Sequence, residues 1–526
     1  MTARQKGTPR MSIEIRRRHL LAGTASIPAL TAPAFRAEAQ SAPRANIAVR
    51  VERDPEVIDP GFRTGPHDGN IIRSVYQRLA KHKANSGDLE LDAAAELTQT
   101  SPTLIDFRLK PGQMFTDGFG EMTAEDVKFS FERIGLPPAA GGRPSAYRAD
   151  WAGLERVEVT GQYTGRIVLS RPNAGLMAIA IGDVSGCIAS KRAIEARGVE
   201  HNTRPVGSGP YSVASLERQR GAVLRANPTY AGPRPAFQEV AVRFIPDHRA
   251  TELALRAGEL DFAILPPTNA EPLRSVAGLT VSEQPGLQYI WMGMNMEKAP
   301  LNDLRVRQAI RLGLDVDQML IAGYNGKAPR LNALIPAPIL GNWPEAPVYR
   351  RNVAEARRLL ADAGQRNPRI KLLVLNQPAF QNMALVARAL LQEIGVTVEV
   401  DARDGGGFWS AGRGDAGRDI DMYMTVFNGK LDPNFLMQWF VSSQIGTWNW
   451  QRFNSPEFDR LFEQTAAELD PARRRAMVIE AQQIMDRSAA FVWLTNNVSF
   501  VAHRSWLRPA SVPGWLDWQY DSFAAA

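Results

Sequence analysis

The stretch from Asp247 to Leu265, DHRATELALRAGELDFAIL, reads as a helix that passes directly into a strand. Its helical part ends at Gly258, a residue that helices use to stop, and Leu260 to Leu265 is an apolar, strand-like run. Residues 381 to 400 repeat the pattern, with a helix to Ile394, Gly395 as its end and then VTVEV alternating as a strand. Thr123 to Gly135, TAEDVKFSFERIG, supplies a capping threonine, acids at the positive end of the helix dipole, and Val127, Phe131 and Ile134 on one apolar face. Asn352 to Gly364 and Ser455 to Leu469 read as further capped helices, the second with Pro456 at its first helical position. This alternation predicts α/β domains with mixed sheets, whose ligand crevices lie at loops beyond the strand ends.

At 526 residues and 44% hydrophobic, with 42 Gly and 36 Pro, the chain is long enough for two or three packed domains and too apolar for disorder. It has neither internal repeats nor heptads. The Gly/Pro-rich stretches at 136–144 and 332–347 read as surface loops, and no linker marks a boundary, which suits domains built from discontinuous segments. The formal charge is +7, but residues 1–39 carry a net +5, which leaves +2 on the rest. That near-balance argues against nucleic acid as a partner.

Residues 1–39 read as an export address. Arg16-Arg17-Arg18 precedes a weakly apolar run from Leu20 to Phe35 and then Ala37-Glu38-Ala39, an A-x-A cleavage pattern. Pro28 and Pro33 interrupt the run, which disfavours a structural first helix, and arginines before so diluted an apolar segment resemble a twin-arginine signal. Met1 and Met11 are both candidate starts. No later segment reaches the roughly 18 apolar residues of a membrane span. Cys187 is the only cysteine, so no internal disulfide forms. Val184-Ser185-Gly186-Cys187 looks like a lipidation box but lies far from the signal, and reads as a strand or turn of small residues.

Catalytic and cofactor motifs fail on context. Gly412 to Gly417, GRGDAG, fits G-x-G-x-x-G, but the following RDIDMYMTV alternates like a strand where the nucleotide fingerprint needs a helix; it reads as a flexible loop. Gly207-Ser208-Gly209 has Pro205 where a nucleophile elbow needs glycine, and reads as a turn. The six histidines have no metal-ligand spacing. No catalytic residue, metal ligand or cofactor is assigned; a glycosidase-like pair of carboxylates stays open, with no positive support.

Several stretches together resemble the extracellular solute-binding proteins of ABC importers, in the family that includes dipeptide-, oligopeptide- and nickel-binding members. Val57-Ile58-Asp59-Pro60 is similar to the family's "LDP" entry, and FRLKPGQMFTDGFGEMTAEDV at 107–127 follows its most specific signature, with Thr116 in place of the usual histidine. PVGSGPY at 205–211, AGELD at 257–261 and LNDLRVRQAI at 301–310 continue the match in family order. The resemblance implies a two-lobed periplasmic-binding-protein clamp (type II, cluster C-like), α/β with mixed sheets and two hinge strands. Lobe I would be residues 40–290, with an inserted subdomain at roughly 81–200; lobe II would be 291–490; and 491–526 would return to lobe I. The crossovers would be YIWMGMN at 289–295 and FVWLTNNVS at 491–499, both apolar and strand-like.

The function so implied is capture of a peptide-like solute in the periplasm by a monomer that closes about its hinge and docks on an inner-membrane ABC permease. A sugar, opine or chelated metal on the same fold is the alternative, and a periplasmic hydrolase the rival from another class. The family motifs themselves read as structural, with Phe107 and Val127 in the core and Arg305 and Arg307 as surface ion-pair formers. A cleft that closes needs aromatic and amide side chains at the lobe interface. Candidates are Asn376, Gln377, Trp409, Trp448, Asn449 and Trp450; Met292, Met294 and Met296 read as core.

The last candidates lie in FNGKLDPNFLMQWF, residues 427–440. Peptide-binding members of the family carry an aspartate shortly before an Asp-Pro pair, where it meets the α-ammonium of the peptide. Aligning Asp432-Pro433 with that pair puts Gly429, beside Asn428, in the place of the acid. Asp432 itself reads as a helix cap, with Phe435, Leu436 and Trp439 on the apolar face. Lys430 then stands as a cation near the expected anion, either solvated or facing an acidic or blocked ligand. Free dipeptides are thereby disfavoured.

Overall fold

The computed structural model describes residues 45–63, 66–138, 142–512 and 517–526. The signal-peptide reading of residues 1–39 lies outside the described residues. Ten strands form the main sheet: β1 (Asn46–Val51), β2 (Tyr211–Glu217), β3 (Gly221–Ala226), β4 (Glu239–Phe244), β5 (Phe262–Leu265), β6 (Leu279–Met294), β7 (Arg369–Leu375), β8 (Thr397–Arg403), β9 (Met422–Phe427) and β10 (Phe491–Arg504). Their order across the sheet is β2-β3-β4-β1-β5-β10-β6-β9-β7-β8. β1 runs parallel to β4 and β5, and β7 runs parallel to β8 and β9, so each end of the sheet has α/β character.

The two ends are joined by β6 and β10, the longest strands, which pair antiparallel from Leu279↔Arg504 to Gly293↔Phe491. The apolar runs expected at the crossovers therefore pair with each other. Their register breaks after Pro285↔Val498 and resumes at Tyr289↔Asn496, four steps on one strand against two on the other. Such a bulge bends the ribbon and leaves local backbone unpaired. This is the two-lobed clamp: β2-β3-β4-β1-β5 carry one lobe, β9-β7-β8 the other, and β6 and β10 are the hinge strands.

A separate four-stranded antiparallel sheet is formed by Ala94–Ser101, Leu104–Leu109, Thr164–Leu169 and Leu154–Val159, with the helix Ala124–Gly135 over it. Thr123 and Asp126 cap that helix reciprocally. Val127, Phe131 and Ile134 are buried with Phe107 and Trp151 in a core of their own. Helix His248–Ala257 stops at Gly258, whose φ of +84° is the left-handed value that glycine adopts without strain. The helix expected from Gln381 begins at Pro378, three residues earlier, and runs to Glu393.

Three local readings change. Arg307 is buried rather than a surface ion-pair former: its Nε donates to Ser488 O at 2.9 Å and its Nη1 to Leu301 O at 2.7 Å, tying one helix to the end of another. Only Arg305 forms an exposed pair, with Asp303 at 2.6 Å. The glycines of PVGSGPY are there for close approach, since a Cβ at Gly207 would lie 2.0 Å from Val75 O. Gly412 is likewise no flexible-loop glycine, because a Cβ there would sit 1.8 Å from the Trp450 ring.

Candidate functional site

Two cavities flank the hinge. One, of about 550 Å³, is lined by Trp409, Arg413, Val426, Phe427, Asn428, Phe435, Trp439 and Trp448. The other, of about 540 Å³, is polar and lies between residues of β1 and the loop after β5 on one side and Tyr324 and Gln377 on the other, with Asn497 of β10 in its wall. A row of amides connects them. Gln288 Nε2 donates to Asn428 Oδ1 at 2.8 Å, and Asn497 Nδ2 donates to Gln288 Oε1 at 2.7 Å. Gln288 lies within the bulge of β6, so the row crosses the hinge where the strand pairing is interrupted.

The aromatic cavity is built by three short pieces of chain. β9 ends at Phe427; helix Pro433–Met437 and the residues after it present Phe435 and Trp439; and helix Gly405–Ala411 presents Trp409. Asp432 caps helix Pro433–Met437, as its sequence predicts, accepting from Asn434 N at 2.9 Å. That carboxylate also holds Arg474 at 2.7 Å, and both residues are buried. Phe427 is the centre of the cluster, with ring centroids 5.8 Å from Trp448, 5.9 Å from Trp439 and 6.2 Å from Trp409. Trp409, Phe427, Phe435, Trp439 and Trp448 are all half-buried, so each keeps ring surface that a solute can cover.

At the polar end the charges are held by the protein. Arg50 donates to Ile245 O at 2.8 Å and Ile264 O at 2.9 Å and pairs with Glu52 at 3.3 Å. Burial lowers its pKa, which Glu52 opposes. Burial, only partly offset by Glu52, also pushes His67 down to about 4, so its imidazole is neutral at pH 7.

Of the residues singled out in the sequence, Trp409, Asn428 and Trp448 line the aromatic cavity and Gln377 the polar one. Asn376, next to Gln377, is exposed and accepts from Gln381. Asn449 and Trp450 do neither. Asn449 is fully buried, its amide donating to Phe440 O, Val441 O and Phe453 O, which makes it a loop brace. Trp450 is buried, and its Nε1 donates to Thr447 O at 2.9 Å.

Gly429 has no room for any side chain, because a Cβ there would lie 2.2 Å from Leu287 O. Lys430 is not open to a solute. Its ammonium sits 2.6 Å from Asp150 and 3.2 Å from Asp183, with the side chain only 20% exposed. Asp183 is also held by Arg73 at 2.6 Å, and Arg73 by Asp517 at 2.7 Å. Burial opposes charge on Lys430 and Asp183. The two acids nevertheless raise the lysine, and Lys430 with Arg73 holds Asp183 well below the carboxylate range.

Sequence reading missed Arg413, Gln288 and Asn497. The last two carried a signal, Asn497 being an amide inside the apolar run at 491–499 and Gln288 one immediately before the run at 289–295. The acids that hold Lys430 carried none, since Asp150 lies 280 residues upstream. Among the described residues no group of three or more His, Cys, Asp or Glu could hold a metal ion, and no helix is long and apolar enough to cross a membrane.

Residues 88–448 match the bacterial extracellular solute-binding proteins, family 5, and the chain belongs to that family. It is 27% identical over 476 residues to the probable D,D-dipeptide-binding periplasmic protein DdpA of Escherichia coli, covering 86% of this chain and 88% of that one. It is 26% identical over 494 residues to the probable di/tripeptide-binding protein 5 of Pseudomonas aeruginosa, covering 89% and 93%. Among solved structures, HbpA2 from Haemophilus parasuis superimposes with a TM-score of 0.84 at 20% identity, over 91% of this chain and all of that one, a likeness of fold.

Proposed function

We propose that this protein is the periplasmic solute-binding component of an ABC importer, and that it captures a peptide-like solute by closing its two lobes about β6 and β10. The observation that carries this reading is the amide row Asn428–Gln288–Asn497, which runs across the hinge bulge with a cavity at either end. A solute spanning the row touches both lobes, so its binding free energy favours the closed form. Backbone-like amides suit such a floor, because each offers a donor and an acceptor in reach of a peptide group. The names of the peptide-binding relatives support the same solute class.

In this reading residues 40–290 with 491–526 form lobe I, 291–490 form lobe II, and residues 1–39 are a twin-arginine signal. The mature protein acts as a non-lipidated monomer without catalysis. Gln377, Trp409, Asn428 and Trp448 meet the solute, with Asn376 at the rim; Gly429 and Lys430 shape the wall. Native mass spectrometry of protein taken from its own periplasm should find a co-purifying peptide-like molecule. Small-angle scattering should then show compaction when that molecule is added back. Unchanged dimensions at saturation would overturn the clamp reading.

A further inference from the structure

The aromatic cavity has a charge pattern that its apolar lining does not require. Among the described residues Arg413 is the only charged one in its lining; it sits exposed at the rim, and its guanidinium makes no hydrogen bond or ion pair to any of them. Of the acids near it in sequence, Asp404 caps Gly407 N at 2.7 Å, Asp415 pairs with Arg418 at 3.4 Å and Asp421 with Lys298 at 2.6 Å, and none lines the cavity. The neighbouring loop adds no anion, since Gly429 has no space for a side chain and Lys430 is turned into Asp150 and Asp183.

We propose that this cavity selects an anionic solute without a free ammonium: an N-acylated peptide or acyl amino acid, its apolar ring against Trp409, Trp439 and Trp448 and its carboxylate on Arg413. This rests on the peptide-like reading of the same cleft. Aromatic faces attract cations as well. In a closing cleft, however, a free ammonium here would lose water and meet a guanidinium instead of a carboxylate, which is costly. A carboxylate would gain charge-assisted hydrogen bonds from an arginine that has no partner among the described residues.

The test uses three probes, Ala-Phe, N-acetyl-Ala-Phe and N-acetyl-Ala-Phe-amide, titrated calorimetrically into the mature protein and into Arg413→Gln and Arg413→Lys. The inference expects N-acetyl-Ala-Phe to bind at least tenfold more tightly than either other probe. Arg413→Gln should abolish the preference for acid over amide, and Arg413→Lys should restore part of it. Ala-Phe binding as tightly as its acetylated form, or an acid preference that survives Arg413→Gln, overturns the inference and leaves the peptide reading standing. If no probe binds at millimolar concentration, the two readings fall together.

Discussion

The two ends of the cleft differ in what their charges do. At the polar end Arg50 is fastened to backbone carbonyls and Glu52, and His67 is neutral; at the aromatic end there is one arginine, exposed and without a partner among the described residues. Lys430 belongs with the first group although it lies in the loop of the second, because two acids already hold it. A charge fastened inside the protein supports the wall. A charge left free beside open aromatic surface can discriminate between solutes.

Adjacent tryptophans test this contrast most severely. Trp450→Ala should cost about 3–5 kcal/mol of stability in urea denaturation, as loss of a fully packed aromatic does. Trp448→Ala should cost under about 1 kcal/mol yet weaken solute binding by about tenfold or more, because part of its ring stays exposed in the cavity lining. Equal losses of stability would erase the distinction. Next in size, Lys430→Met strands Asp150 without its cation, while Asp183 keeps Arg73, and should cost about 3 kcal/mol, with part of it recovered by adding Asp150→Asn.

The third test is pH. Burial pushes both His67 and His201 down to about 4. Between the ordinary histidine value near 6.5 and pH 4, the unfolded chain takes up protons that the folded chain refuses, so stability falls as pH falls through that window. The loss should approach about 3 kcal/mol for each histidine, and His201→Gln should flatten the slope by one proton. The smallest effect belongs to Arg413. Replacing it with Gln should leave the unfolding free energy within about 0.5 kcal/mol, since it is exposed and its charge has no partner among the described residues; a larger loss would place Arg413 with the fastened charges.

Local chemistry made the elements legible. Thr123, Asp247, Ser455 and Asp432 cap their helices because a side-chain oxygen needs only the next turn of backbone. The hinge runs were legible because strands buried on both faces read as continuous apolar segments. The site was legible in part: Trp409 and Trp448 open to the cavity while Trp450 does not, and an indole has the same signature in either place. Arg307 and Lys430 misled for one shared reason. Their partners, Ser488 and Asp150, are 181 and 280 residues away, and no local pattern reports such pairing.

The position of β10 has a consequence for biosynthesis. It lies between β5 and β6 and is the strand through which the two halves of the main sheet touch. A nascent chain that has not yet released residues 491–504 holds two half-sheets with an empty slot between them, each exposing an unpaired edge. The hinge therefore comes into being only once residues 491–504 have been made. Until then the lobes are tethered to each other but share no sheet, and the cleft they will form has no floor.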